Sequence, residues 1–366
     1  MAWIALCGQT ENQFSMNGLG ARALNSSLQG HSASRNGLLT KGSIVIETHL
    51  SPEGRPQTLL SYRRSHPWVS SLSLQAIPGG GLSLVITQGD EIFHTALNHD
   101  ATGRTDVLRI TYSWDAPNRW GRLAVERPER DQVTMIELTN PKPMAIADLQ
   151  LMASDPTQRR MDRDVIYFAV STEIEPLGPM PGLAENVPVL TSKGYQLIGG
   201  LRRGDLVLSS RGDLVPVLCK VSRSVPARGR FEPLRLRAPY FGLRQDIMVA
   251  PEQRLVITGT DVEYLFGKEA VLVPVRHLAD GTSVRTCEAP TVVTYTQLIL
   301  PGHETIQAAG CPLESLYIGR IRRKPDALEA SLLAGIDRNI LPEHAKPVYP
   351  VLQPYEAISL AKQRAA

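Results

Sequence analysis

From Gly42 onward, apolar and polar residues alternate in runs too short for helices. GSIVIETHL (Gly42 to Leu50), SLSLQAI (Ser71 to Ile77), GLSLVIT (Gly81 to Thr87), DVLRITYSW (Asp106 to Trp114) and GRLAVE (Gly121 to Glu126) repeat with a period of two. That period turns one face of a strand to a core and the other to water. IPGGGL between the second and third reads as a glycine-rich turn, and DAPNRWG between the last two as a hairpin loop. Strands at such regular intervals predict a sandwich. From Asp148 a polar, arginine-rich loop is expected, followed by the strand VIYFAV that completes the sandwich. Before Gly42 no period is sustained. Residues 9–41 are rich in Ser, Asn and Gly, and residues 1–41 are read as a loose lead-in with one strand at the very start.

The pattern changes at EPLGPMPG (Glu175 to Gly182), where three Pro and two Gly stand in eight residues. Such a stretch holds neither a helix nor a central strand, so residues 175–186 are expected to be a stiff connector between domains 42–174 and 187–319. After it come VPVLTSKGYQLIGGLRRGDLVLS (Val187 to Ser209), DIMVAPEQRLVITG (Asp246 to Gly259), EAVLVPVRHLADG (Glu269 to Gly281) and VTYTQLILPGHETI (Val293 to Ile306). These β-branched runs between Gly, Asp and Pro again read as short strands with tight turns. The tail, residues 320–366, carries two helical signatures, PDALEASLLAGI (Pro325 to Ile336) and EAISLAKQR (Glu356 to Arg364).

The order T-x-x-G, then L-x-x-G-D-x-V-L, then a D-x-x-V-x-P-x-x-R block and a V-L-V-P block resembles the bacterial Hint-like domains of the hedgehog/intein superfamily. The resemblance covers roughly the C-terminal half. It implies self-processing that begins with a Cys or Ser at the domain's first position, aided by the His of a T-x-x-H block that polarises the scissile peptide. Counting back from Thr191, the nucleophile position falls on Gly182, and the T-x-x-H block falls on Ala250, Pro251, Glu252 and Gln253. Glutamine can donate a hydrogen bond but takes no proton near neutral pH. No Cys, Ser or Thr lies between Thr172 and Thr191. The N-terminal half, with TYSWDAP paired to GRLAVE, looks like a laminin-G or concanavalin-type jelly roll. That likeness implies ligand recognition, with Trp68, Trp114 and Trp120 as candidate stacking platforms. Asp90, Glu91, His94, His99 and Asp100 can be imagined as a cation site, although a Gly-Asp turn with surface histidines explains them as well.

Composition narrows the picture. The length of 366 residues suits two domains, and a net charge of +3 is too small to imply nucleic acid, which is disfavoured as a partner. LRLR alternation (Leu234 to Arg237) is the solvated face of an exposed strand. Cys7, Cys219, Cys287 and Cys311 are spaced for neither zinc nor a compact disulfide framework, so no metal and no cofactor is expected. The opening MAWIALCGQTENQ lacks a basic n-region, and no run is long enough for a membrane helix. The chain is therefore expected to be cytoplasmic, with export lacking a cleaved signal as the alternative.

The expected fold class is all-β: a jelly-roll-like sandwich, then a Hint-like β domain with short C-terminal helices. The expected function is non-catalytic binding or assembly, with a protein or glycan partner and no membrane. The alternative is self-processing that cuts near Pro181-Gly182. Glu126, Glu129 and Asp131 read as a charged loop, without the carboxylate pair a glycan hydrolase needs.

Overall fold

The computed structural model describes residues 3–20, 37–50, 54–100, 107–288 and 290–365. The chain divides into two compact units, Met1–Pro176 with Pro290–Val292, and Leu177–Ala289 with Val293–Ala366. Both are built from antiparallel strands, and the protein is all-β with a few short helices. Among the described residues no helix is long and apolar enough to cross a membrane.

The first unit is a two-sheet sandwich. Its larger sheet has seven strands in the order Gln132–Thr139, Trp120–Arg127, Val107–Asp115, Lys41–His49, Val165–Ser171, Trp3–Cys7 and Asn12–Phe14. The smaller runs Arg159–Arg160, Gln57–Arg64, Ser70–Ile77, Gly81–Gln88 and Glu91–Asn98. Alternation decides which residues meet between them. Ile44, Ile46, Ile110, Tyr112, Trp114 and Phe168 face Leu60, Leu72, Leu74, Leu84 and Ile86 in one buried cluster. Gly79 and Gly80 take φ of 89° and 96°, the left-handed backbone that the IPGGG turn needs and that glycine adopts without a Cβ penalty.

Two expectations for this unit are corrected. The lead-in carries the strand expected at its start, Trp3–Cys7, buried and paired with Val165–Ser171, but it is more structured beyond it than its composition suggests: Asn12–Phe14 pairs with Trp3–Cys7 and Leu38–Leu39 with Met144–Ala145. Residues 21–36 of the lead-in lie outside the described residues. The stretch from Asp148, read as a loop, begins inside the helix Ile146–Ser154. Ile146, Leu149, Met152 and Ala153 recur at helical spacing and are buried. Asp148, on the same helix, accepts from Ser70 Oγ (2.6 Å) and lies 2.6 Å from Arg64 Nε.

The second unit has a six-stranded and an eight-stranded sheet. The first orders Cys219–Pro226, Val292–Ile299, Leu183–Ala184, Ile247–Val249, Leu234–Leu236 and Val284–Thr286. The second contains Pro188–Thr191, Gly194–Leu197, Leu206–Leu208, Leu214–Pro216, Arg254–Thr258, Ala270–Pro274, Thr305–Ala308 and Cys311–Glu314. Their inward residues, among them Val189, Val207, Val249, Leu255, Val273 and Leu313, form one core. Residues 183–184 of the expected connector are thus a strand inside a sheet.

The tail is corrected in part. The helix expected over Pro325 to Ile336 stops at Glu329. Ser331 Oγ donates to Leu328 O (2.8 Å) and accepts from Leu333 N (3.1 Å), and Leu177 N donates to Ala330 O (2.8 Å), so the backbone leaves the helical path. The last helix, Pro354–Ala365, has Pro at its first position, and Glu356 accepts from the Gln353 backbone N–H (2.7 Å), half of a capping box.

Candidate functional site

The junction at Gly182 is built by three strands. Leu183 pairs with Val249 on one side and Thr296 on the other, and Ala250 N donates to Gly182 O (2.7 Å). The turn after Val249 brings Gln253 back, its N–H donating to Ala250 O (3.0 Å). The two positions that the sequence singled out are therefore in contact. A Cβ placed on Gly182 would stand 3.0 Å from Gln253 Cβ, 3.1 Å from its Cδ, and closer still to its Oε1 than real Cβ atoms come.

The Gln253 carboxamide is fixed on all sides. Its Nε2 donates to Glu314 O (3.1 Å) and Arg254 O (3.2 Å), and its Oε1 accepts from Gln297 Nε2 (2.8 Å). Gln297 also donates to Glu314 O (3.0 Å), while its own Oε1 accepts from Leu298 N (3.2 Å). Both glutamines are buried. Sequence reasoning missed Gln297; no periodic or spacing signal marks it, and only the sheet brings it to Gln253.

The titratable groups nearest this pair are engaged with one another. Glu314 Oε1 lies 3.0 Å from Arg254 Nη1 and 2.9 Å from His303 Nε2, and His303 Nδ1 accepts the Val348 N–H (2.8 Å). That backbone donor leaves the ring proton on Nε2, facing the carboxylate. His344 repeats the arrangement, with Nδ1 accepting from Ile318 N (3.3 Å) and Nε2 against Leu300 O (3.1 Å). His277 lies apart beside Arg276 (3.4 Å), and its pKa falls to about 4 through burial and the Arg276 and Arg230 charges. All four cysteines are free thiols, and burial raises each pKa, that of Cys311 to about 12. A thiol held protonated is a poor nucleophile.

Residues 181–320 match the family model described as Hint domain. The second unit is Hint-like. Solved structures similar to part of this chain include the MchDnaB-1 intein (16% identity, TM-score 0.26, 36% of this chain and 98% of that chain) and the gp41-1 intein (15%, 0.24, 37% and 98%). The CBM40 of the Ruminococcus gnavus IT-sialidase, bound to α2,3 sialyllactose, matches at 15% identity and TM-score 0.29 over 47% of this chain and 91% of that chain. No curated protein matches the sequence.

In the first unit the three candidate tryptophans part company. Trp114 is fully buried, stacked on Tyr112 at 5.5 Å, with Nε1 donating to Leu39 O (3.0 Å), so its ring presents no platform. Trp68 is 54% exposed, with the Arg64 guanidinium 5.8 Å from its ring. Trp120 is half-buried, bonded to Glu137 Oε1 (3.3 Å) with Arg122 5.5 Å from its ring. Trp120 pairs with Thr139, which lines a cleft of about 310 Å³ together with Gln88, Glu91, Phe93, Asn140 and Lys142. Glu91 pairs with Lys142 there. Among the described residues, no cluster of three or more His, Cys, Asp or Glu is placed to hold a metal ion, so Asp90, Glu91, His94, His99 and Asp100 assemble no such site.

Glu126 needs a correction. It lies on a strand rather than in a loop, and it is buried 4.0 Å from Arg109, whose other side holds Glu47 at 2.7 Å. Burial works against the Arg109 charge, but the two carboxylates outweigh it and hold its pKa above the ordinary range. Both carboxylates are committed to the guanidinium, on the sheet face opposite the sandwich core.

Proposed function

We propose that this chain is a non-catalytic binding or assembly protein, in which a Hint-like fold is kept as a rigid module and the sandwich recognises a protein or glycan. The observation that carries the reading is the Gly182 junction. The position from which a nucleophile would attack the Pro181 carbonyl has no side chain, and the Gln253 carboxamide fills the room one would need. Gln297 Nε2 donates to Gln253 Oε1, and neither carboxamide takes a proton. An acyl shift requires a nucleophile and a base, and this junction supplies neither. Exposed Trp68 beside Arg64, and Trp120 on the strand next to the 310 Å³ cleft, support ligand recognition by the sandwich.

The test is the intact mass of the freshly purified chain, followed over days with and without dithiothreitol. The full-length mass is expected in every sample. Two fragments with a new N-terminus at Gly182, formed despite protease inhibitors, would overturn the proposal in favour of self-processing.

A further inference from the structure

The hairpins over residues 188–216 break the usual rule for a half-buried sheet, which turns its apolar residues inward and polar ones outward. Val189, Thr191 and Val207 turn inward and are buried. Between them Leu190, Leu206 and Leu208 turn outward, and the register sets Leu190 beside Tyr195 and Leu208 beside Leu214. Leu197, opposite Pro188, is 54% exposed and Leu214 50%. An apolar face is thus presented where alternation would place polar residues.

Its surroundings are basic. Lys193 sits in the turn of one hairpin and Arg211 in the turn of the other, Arg202 and Arg203 precede the third strand, and the Arg244 guanidinium lies 5.6 Å from the Tyr195 ring. All five are exposed. Against them stand Asp205, which accepts the Arg202 backbone N–H (2.8 Å), and Asp213. A basic rim repels a second copy of itself and attracts carboxylates. Four strands about 4.8 Å apart, with side-chain rows about 7 Å apart, make a face on the order of 200 Å². That is far below the roughly 800 Å² per partner of a stable domain interface. Gly194–Leu197 pairs with Pro188–Thr191 alone among the described strands, so no described strand takes its other edge.

We propose that this face docks an extended segment of a partner protein, carrying apolar side chains alternated with carboxylates, which adds to the Gly194–Leu197 edge as a strand. Main-chain bonds at the edge would align it, the leucines would fill the apolar rows, and the basic rim would pair with its carboxylates. This identifies a partner class for the Hint-like module, and it does not depend on the chemistry at Gly182.

The test titrates a dye-labelled peptide of alternating Glu and Leu onto the full chain, its length verified by intact mass, and follows anisotropy. A Lys/Leu peptide is the control. The Glu/Leu peptide is expected to bind and the control not; Leu197→Glu and Arg203→Glu are each expected to weaken binding about tenfold without moving the melting temperature. Should Leu197→Glu misfold, Arg203→Glu, on an exposed turn, decides alone. Equal binding of both peptides, or variants that bind like the parent, would overturn the proposal. So would Leu197-dependent sedimentation with phosphatidylserine vesicles, or Leu197-dependent dimerisation, in the absence of peptide binding.

Discussion

At the scale of single residues, Gly182 and Gln253 behave as one object. Alanine at 182 would drive its Cβ into the Gln253 carboxamide, which must then leave Glu314 O and Gln297. Losing buried hydrogen bonds costs about 1–3 kcal/mol each, so Gly182→Ala is expected to destabilise the Hint-like unit by about 2–3 kcal/mol in urea unfolding. Gln253→Ala removes the obstacle as well as the bonds. The double variant should therefore be more stable than the sum of the two single losses, by about 1 kcal/mol. Simple additivity would show that the carboxamide does not fill the room above Gly182. The sequence marked both positions through the spacing of their motifs, but their contact depends on a strand and a turn far apart in the chain, and that separation has no local signature. Gln297 was illegible for the same reason. Trp114 was legible as an aromatic and misleading as a platform, because whether a strand residue faces the core or the solvent depends on register.

At the scale of elements, legibility follows regularity. The strands with unbroken alternation, Ser70–Ile77 and Gly81–Gln88 above all, were readable from the chain alone. Gln57–Arg64 was not: its register shifts between Thr58 and Leu60, so Leu59 and Leu60 are both buried and the period of two is lost. The last helix, expected over Glu356 to Arg364 and found as Pro354–Ala365, was readable from the chain, and it offers a clean division between apolar docking and ion pairing. Ala357 and Leu360 are buried in the core of the Hint-like unit, whereas Arg364 lies at the surface, 2.5 Å from Asp261 Oδ2. Leu360→Ala should cost about 2–4 kcal/mol through transfer and cavity terms. Arg364→Ala should cost less than about 1 kcal/mol, because a surface ion pair gains little in high dielectric. Thermal melts of the two variants check the ranking, and a larger loss for Arg364→Ala would mean that the helix is held by its charges.

At the scale of the whole molecule, the two units have separate cores, and acid should act on them unequally. The Hint-like unit holds two histidines whose pKa values are lowered: His277, to about 4, and His344, by burial first and then by the His303 charge, against the opposing pull of the Leu300 carbonyl and Glu314. The sandwich holds one, His99, lowered by burial. A histidine kept neutral in the folded state and protonated in the unfolded one gives the unfolded chain the extra proton. Stability is then fully present above the unfolded pKa of 6.5 and falls as pH drops from there toward the folded value. Each histidine contributes a slope of at most about 1.4 kcal/mol per pH unit. The geometry gives the same sign. Protonated His344 would turn an N–H toward the Ile318 N–H, so acid loosens the hold of Ile318 on this ring. The carboxylates Asp162, Asp261 and Asp280, all held below the ordinary value, add their loss only below pH 3.8. Urea midpoints at pH 7, 5.5 and 4.5 should therefore fall for the Hint-like transition more steeply than for the sandwich, and His344→Gln should flatten that fall. Parallel behaviour of the two transitions would place the acid sensitivity outside these histidines.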